Sequence, residues 1–180
     1  MGLVIITGQI DSGKTTWCRE RLLAREGSWD GILCLKVLAA GRRVGYDALR
    51  VCGGESLPLL RCAGCEPPGW EAGERVGIFS ASVRGLRTAN RWLREAARGP
   101  AAGLLIDELG PLELAGGGLA QGVRFALGRT SPSRTIYLVV RGSCLELINV
   151  AFGLRGAELW RIEAGRIIPE APDTGPGSFW

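Results

Sequence analysis

Leu3-Val4-Ile5-Ile6-Thr7-Gly8-Gln9-Ile10-Asp11-Ser12-Gly13-Lys14-Thr15-Thr16 decides how the rest of the chain is read. Residues 3–7 are a short apolar run rich in β-branched side chains, the composition of a strand buried on both faces. Residues 8–15 fit G-x-x-x-x-G-K-[ST] in full, between that strand and a helix predicted over 14–26. Gly8 and Gly13 let the backbone curl so that successive N–H groups converge, and the helix N-terminus adds about half a positive charge at the same point. Such a concavity gathers phosphate. Within it Lys14 offers an ammonium that can follow β- and γ-phosphates, Thr15 a hydroxyl for Mg²⁺, and Thr16 a contact to an α-phosphate.

Outward from this loop the chain alternates strands and helices. Strands are expected over 31–38 and 44–51, joined by Gly41-Arg42-Arg43 as an antiparallel hairpin. Residues 53–77, with Pro58, Pro67, Pro68 and six glycines, read as loops holding a short strand near 57–62, with another over 76–79. Val83, Leu86, Ala89 and Leu93 keep a helical period over 82–98, capped by Ser80 or Ser82 and stopped by Gly99-Pro100. Further strands are expected over 102–106, 134–141 and 158–163, and helices over 119–127 and 145–152. The pattern predicts an α/β domain over 1–168 with a mostly parallel sheet flanked by helices, followed by a Pro- and Gly-rich tail over 169–180.

Composition narrows the chemistry. There is no histidine, which excludes a Ser-His-Asp triad, an imidazole base and His-ligated metal. The net charge of +4 is spread along 180 residues with no basic block, so no nucleic-acid stripe is expected. Apolar runs such as 136–140 are far too short to span a bilayer, and the N-terminus enters a strand rather than a secretory signal. A cytoplasmic protein with six reduced thiols is expected. Of 22 basic residues only two are lysines, Lys14 and Lys36. Lys14 is the place where a compact ammonium suits a crowded loop better than a wide guanidinium fork; Lys36 has no role that the sequence explains.

A second chemical signal lies at the end of an apolar strand, Ala102-Gly103-Leu104-Leu105-Ile106-Asp107-Glu108. Beside a phosphate loop, Asp107 is the expected Mg²⁺-side carboxylate, acting partly through water, and Glu108 the expected general base for an attacking water. Asp107-Glu108-Leu109-Gly110 also fits D-x-x-G, but no N-K-x-D guanine-reading segment exists, so ATP and GTP both remain open. Arg141 ends the strand over 134–141. Strand ends of this kind face the ligand crevice, which makes Arg141 a candidate for neutralising the γ-phosphate.

Three segments resemble the THEP family of small nucleoside triphosphate phosphohydrolases over about residues 1–165. They are Val4 through Thr16, then Leu105-Ile106-Asp107-Glu108-Leu109-Gly110-Pro111-Leu112-Glu113-Leu114, and Arg43-Val44-Gly45-Tyr46-Asp47. The second is the most specific, because Gly-x-x-Glu-Leu after the acids is not general among phosphate-loop proteins. The resemblance implies a RecA-like core with an inserted antiparallel hairpin. It also implies slow Mg²⁺-dependent hydrolysis of ATP, GTP and other nucleoside triphosphates. By match, Gly8, Gln9, Ile10, Asp11, Ser12, Gly13, Lys14, Thr15 and Thr16 would line the nucleotide, together with Ile106, Asp107, Glu108, Gly110 and Glu113. Pro111-Leu112 replaces the family's commoner Lys-Met, and residues 52–77 are longer and richer in Cys and Pro.

Cys62-Ala63-Gly64-Cys65 has zinc-knuckle spacing, with Cys52 upstream, but a closed site needs four ligands, and Cys34 could complete it only if the hairpin strands lie beside this loop. Two other functions stay open. One is a small-molecule kinase, which would need a lid; Arg124, Arg129 and Arg134 around Gly128 are its candidates. The other is a nucleotide-binding adapter with little turnover. Oligomeric state is unread, and a monomer would suffice.

Overall fold

Every strand at the centre of the sheet is apolar on both of its faces, and each face meets its own layer of helix. The computed structural model describes residues 2–129, 131 and 133–168. It contains strands β1 (Gly2–Gly8), β2 (Trp29–Ala39), β3 (Arg42–Arg50), β4 (Ser56–Cys62), β5 (Ala72–Val76), β6 (Phe79–Ser82), β7 (Gly103–Leu109), β8 (Thr135–Arg141), β9 (Glu158–Glu163) and β10 (Arg166–Ile168). Its helices are α1 (Lys14–Trp17), continued as a π-helical turn over Cys18–Leu22, α2 (Val83–Arg98), α3 (Pro111–Leu114), α4 (Ala120–Gly128) and α5 (Leu145–Phe152), with a short 3₁₀ turn over Gly142–Cys144. The strands form one ten-stranded sheet in the order β10-β9-β1-β8-β7-β2-β3-β4-β6-β5. Strands β9, β1, β8, β7 and β2 run parallel. The rest pair antiparallel at the two flanks.

The period of two along each strand divides the core. Ile5, Ile32, Leu104, Ile106, Leu138 and Val140 face one side and pack against Trp92 and Leu93 of α2, Val123 of α4 and Ile148 of α5. Their neighbours Val4, Ile6, Leu33, Leu105 and Val139 face the other side, over Trp17, Cys18 and Leu22. The parallel register sets Gly8 beside Arg141 and Ile32 beside Ile106. Phosphate loop, β8 terminus and acid pair are thereby brought to one edge of the sheet.

The structure departs from the sequence reading in four places. The first helix stops short of residue 26: Leu23 N–H bonds the Cys18 carbonyl in a wider turn that keeps Trp17, Cys18 and Leu22 all against the sheet. The single hairpin becomes a wing, because β4, β6 and β5 continue the antiparallel pairing that β3 begins. Residues expected as a strand over 76–79 supply the Gly77-Ile78 turn between β5 and β6. The segments α3 and β10 were not expected at all. Ser82 caps α2, its Oγ accepting from Gly85 N–H at 3.0 Å. The expected tail over 169–180 lies outside the described residues.

Arg134 closes the other end of α2. Its buried guanidinium donates to the carbonyls of Ala101 at 2.7 Å, Ala97 at 2.8 Å, Ala96 at 3.3 Å and Gly99. These are helix-end and loop acceptors, of which Ala96 also accepts from Gly99 N–H, and the cation also meets the negative end of the helix dipole. Arg134→Met should therefore cost about 3 kcal/mol, seen as a fall in Tm of roughly 10 °C in thermal denaturation. Arg134→Lys should recover only part, since an ammonium cannot fork across several carbonyls. An unchanged Tm for Arg134→Met would remove this account of the α2 terminus.

Candidate active site

The loop after β1 is shaped by close approaches. Gly8 has φ 154°, and a Cβ there would lie 2.3 Å from the Ile162 carbonyl oxygen; Gly13, at φ 90°, starts α1 in the left-handed region. Both positions exclude a side chain for steric reasons. The loop is held from the side by the β9–β10 turn, where Gly165 N–H donates to the Ser12 carbonyl at 3.0 Å. Lys14 Nζ donates to the carbonyls of Gly8 at 3.1 Å and Gln9 at 2.7 Å. Burial lowers the Lys14 pKa; Glu108 and Asp107 oppose that, while Arg141 and Lys36 add to it. Gln9, Ile10, Asp11 and Thr16 are exposed at the mouth.

The acid pair depends on a defect in the sheet. Between β7 and β8 the register runs Ile106↔Leu138 and then Leu109↔Val140, so two residues of β7 face one of β8. Glu108 takes φ 70°. In a regular strand consecutive side chains point to opposite faces; at this bulge Asp107 reaches Thr15 while Glu108 lines the cleft. Asp107 is fully buried, and its Oδ2 accepts from Thr15 Oγ1 at 2.9 Å and from Cys34 N–H at 3.0 Å. Its Oδ1 has no hydrogen-bond partner among the described residues. Desolvation, reinforced by the charge of Glu108, raises the Asp107 pKa to about 7 against the pull of the Cys34 amide, Thr15 and Lys14. Glu108 Oε1 accepts from Arg141 Nη2 at 2.8 Å.

Thr15 and Asp107 present hydroxyl and carboxylate oxygens, the hard donors that Mg²⁺ takes, and the unpaired Asp107 Oδ1 is a buried acceptor that a cation or its water would satisfy. No group of three or more His, Cys, Asp or Glu side chains is placed to hold a metal ion among the described residues. The pair therefore suits a cation that completes its shell with phosphate oxygens and water.

Together these groups enclose a cleft of about 320 Å³, lined by Lys14, Thr15, Thr16, Lys36, Glu108 and Arg141 among others. A smaller apolar cavity adjoins it beneath Leu59, Leu60 and Leu86, with Cys34, Tyr46, Glu108 and Arg141 shared between the two.

Two residues expected along the nucleotide sit elsewhere. Ile106 is enclosed in the main core, because it is the strand residue just before the bulge. Glu113 turns inward: its Oε2 accepts from Gly110 N–H and its Oε1 from Leu119 N–H, both at 2.9 Å. Burial raises its pKa while those two amides oppose the rise. Glu113 thus ties the segment after β7 to the start of α4, and Gly110 borders the Arg141 side chain.

The lid arginines are also engaged away from the cleft. Arg124 bonds the Ala151 carbonyl and lies over Phe152, Arg129 lies over Phe125, and Arg134 is the α2 cap. Cys62 and Cys65 share one turn, whereas Cys34 is buried beside Asp107, its Sγ donating to the Asp107 carbonyl at 3.4 Å. Trp70 donates to Ser80 Oγ at 3.2 Å on the wing. The sequence reading missed Cys34, Tyr46 and Gly165 at the site. Tyr46 lay within a quoted segment, but nothing local in the chain pointed to the other two.

A phosphate loop at the end of a central parallel strand, facing an acid pair on a nearby strand, defines a phosphate-loop nucleotide-hydrolysing protein. A family model described as NTPase matches residues 3–149, and the chain belongs to that family. Among curated relatives, the nucleoside-triphosphatase THEP1 of Hyperthermus butylicus is 32% identical over 174 residues, covering 93% of this chain and 87% of the relative. That of Methanopyrus kandleri is 29% identical over 133 residues, covering 72% and 69%. The solution structure of a human cancer-related nucleoside triphosphatase superposes with a TM-score of 0.65 at 28% identity, covering 88% of this chain and 87% of that one. The crystal structure of THEP1 from the hyperthermophile Aquifex aeolicus shares the fold, with a TM-score of 0.66 at 22% identity over 89% and 90% of the two chains.

Proposed function

We propose that this chain hydrolyses ATP, GTP and other nucleoside triphosphates to the diphosphate and phosphate in a Mg²⁺-dependent reaction. The observation that carries the reading is the bulge at Asp107-Glu108, which directs one acid to Thr15 and the other to Arg141. Lys14 exchanges the carbonyls of Gly8 and Gln9 for β- and γ-phosphate oxygens, and the backbone amides of residues 8–16 gather the remaining phosphate charge. Thr15 and Asp107 hold Mg²⁺, which when bound neutralises phosphate charge. Glu108 accepts a proton from water as its oxygen bonds the γ-phosphorus; the bond to the β-phosphate oxygen breaks and that oxygen keeps the electron pair. Arg141 orients the Glu108 carboxylate and adds positive charge beside the transferred group.

The engaged arginines favour hydrolysis over transfer to an acceptor, since they leave no free lid cation among the three expected. Six free cysteines support a reducing, cytoplasmic setting. No described helix is long and apolar enough to cross a membrane.

The test is steady-state phosphate release from the ribo- and deoxynucleoside triphosphates, with and without Mg²⁺. Release from each triphosphate alone is expected, falling at least about 100-fold in chelator. Turnover that ignores chelation, or that requires an added acceptor, would overturn the proposal.

A further inference from the structure

Lys36 is one of only two lysines in the chain, and it lines the same cleft as the other. It stands on β2 two residues beyond Cys34, on the same strand face. Cys34 N–H bonds Asp107, so this end of β2 lies between the metal-side acid and the tip of the phosphate loop. At that tip is Asp11, an acid in a loop built to gather anions. It occupies the left-handed region at φ 64°, which Asp tolerates better than most residues. Its carboxylate opposes the charge of the ligand the loop would hold, and two cations offset it: Lys36 Nζ, and Arg43 of β3 at 3.6 Å. All three side chains are substantially exposed, at 60% for Asp11, 46% for Lys36 and 35% for Arg43. Pairs so exposed to water contribute little to stability. As a structural rivet the arrangement is weak, and as a reservoir of positive charge at the cleft it is well placed.

We propose that Lys36 is a second phosphate-binding cation for the nucleoside triphosphate, held beside the cleft by Asp11 until substrate enters. The inference rests on the reading of residues 8–16 as the triphosphate site. On binding, the Lys36 ammonium leaves the Asp11 carboxylate for a non-bridging oxygen of the phosphate chain. Asp11 keeps Arg43, so its own charge stays balanced at the loop tip. The β2–β3 hairpin, the inserted element of the fold, thereby acquires a direct part in substrate binding. The lysine at position 36 in an otherwise arginine-using chain also finds a reason: a compact ammonium can pass from carboxylate to phosphate in a confined cleft where a planar fork needs matched geometry.

The test uses calorimetric binding of β,γ-imido-ATP and steady-state kinetics on four variants. Lys36→Met should weaken the analogue and raise KM about tenfold, the loss expected for one charge-assisted bond. Its kcat should move much less, and Lys36→Arg, which keeps the charge but not the compact head, should recover only part of the affinity. Asp11→Asn should act in the opposite sense and tighten the analogue by roughly threefold, because it releases Lys36 and removes a repelling charge. A purely structural latch would weaken binding alike in Lys36→Met and Asp11→Asn, and that result overturns the proposal. So does analogue affinity within about twofold of wild type in Lys36→Met. Lys14→Ala separates the two readings. Loss of binding there with no effect of Lys36→Met sinks only the Lys36 role, whereas normal binding by Lys14→Ala sinks the site itself.

Discussion

Glu108→Gln should bind nucleoside triphosphate close to wild-type affinity and release phosphate about 10²–10⁴ times more slowly. The substitution removes the ability to accept a proton and little else. The amide oxygen can still accept from Arg141 Nη2, which in the wild type lies 2.8 Å from Glu108 Oε1. The backbone bulge and the left-handed φ of residue 108 belong to the strand pairing and should persist. Binding of a non-hydrolysable analogue and phosphate release under saturating substrate separate the two effects. Hydrolysis at the wild-type rate would remove Glu108 as the base, and loss of binding would move its role to the substrate.

Asp107→Asn should show the other large effect, with activity and stability moving in opposite directions. The wild-type carboxyl is fully buried and its pKa is raised from 3.8 to about 7. Between those values the folded state holds a proton that the unfolded chain has released. Stability in chelator should therefore be greatest at the acid end of that window and fall as pH rises through about 7. Asn is neutral throughout, so Asp107→Asn should flatten this slope and raise Tm by roughly 5 °C near pH 8 without metal. With Mg²⁺ present the order reverses: the wild type gains stability and the variant does not. Phosphate release should fall at least about 100-fold. Parallel pH profiles of Tm for the two proteins in chelator would contradict the burial of a titrating carboxyl at this position.

Both results turn on one feature whose presence was readable in the chain and whose geometry was not. The acids at 107 and 108 stand out because they end an apolar run in a chain that opens on a phosphate loop. Alternation along a strand would nevertheless send one of them away from the site. Their convergence comes from an extra residue in the pairing of β7 with β8, and β8 is some thirty residues distant in the chain. The elements with strong local signals were legible for the same reason. The helix over 145–152 and the strand over 158–163 match the structure residue for residue, and Ser82 caps α2 as its chemistry suggests. The wing was harder, because β4, β5 and β6 are short, partly exposed strands whose pairing depends on an edge that β3 already provides.

Taken alone, the amino-acid sequence determined the phosphate loop, the acid pair and the alternating α/β order. Those features rest on local chemistry: glycines where φ must be positive, a lysine where phosphate gathers, apolar runs where strands are buried. The tertiary structure alone decided that Ile106 belongs to the core and that Glu113 braces its own loop. It also decided that Gly165 supports Ser12 and that Lys36 meets Asp11. Apart from Glu113, whose partners Gly110 and Leu119 are near it in the chain, each of these depends on contacts between distant segments, set by sheet register and by the space left between packed layers, which no short stretch of residues encodes.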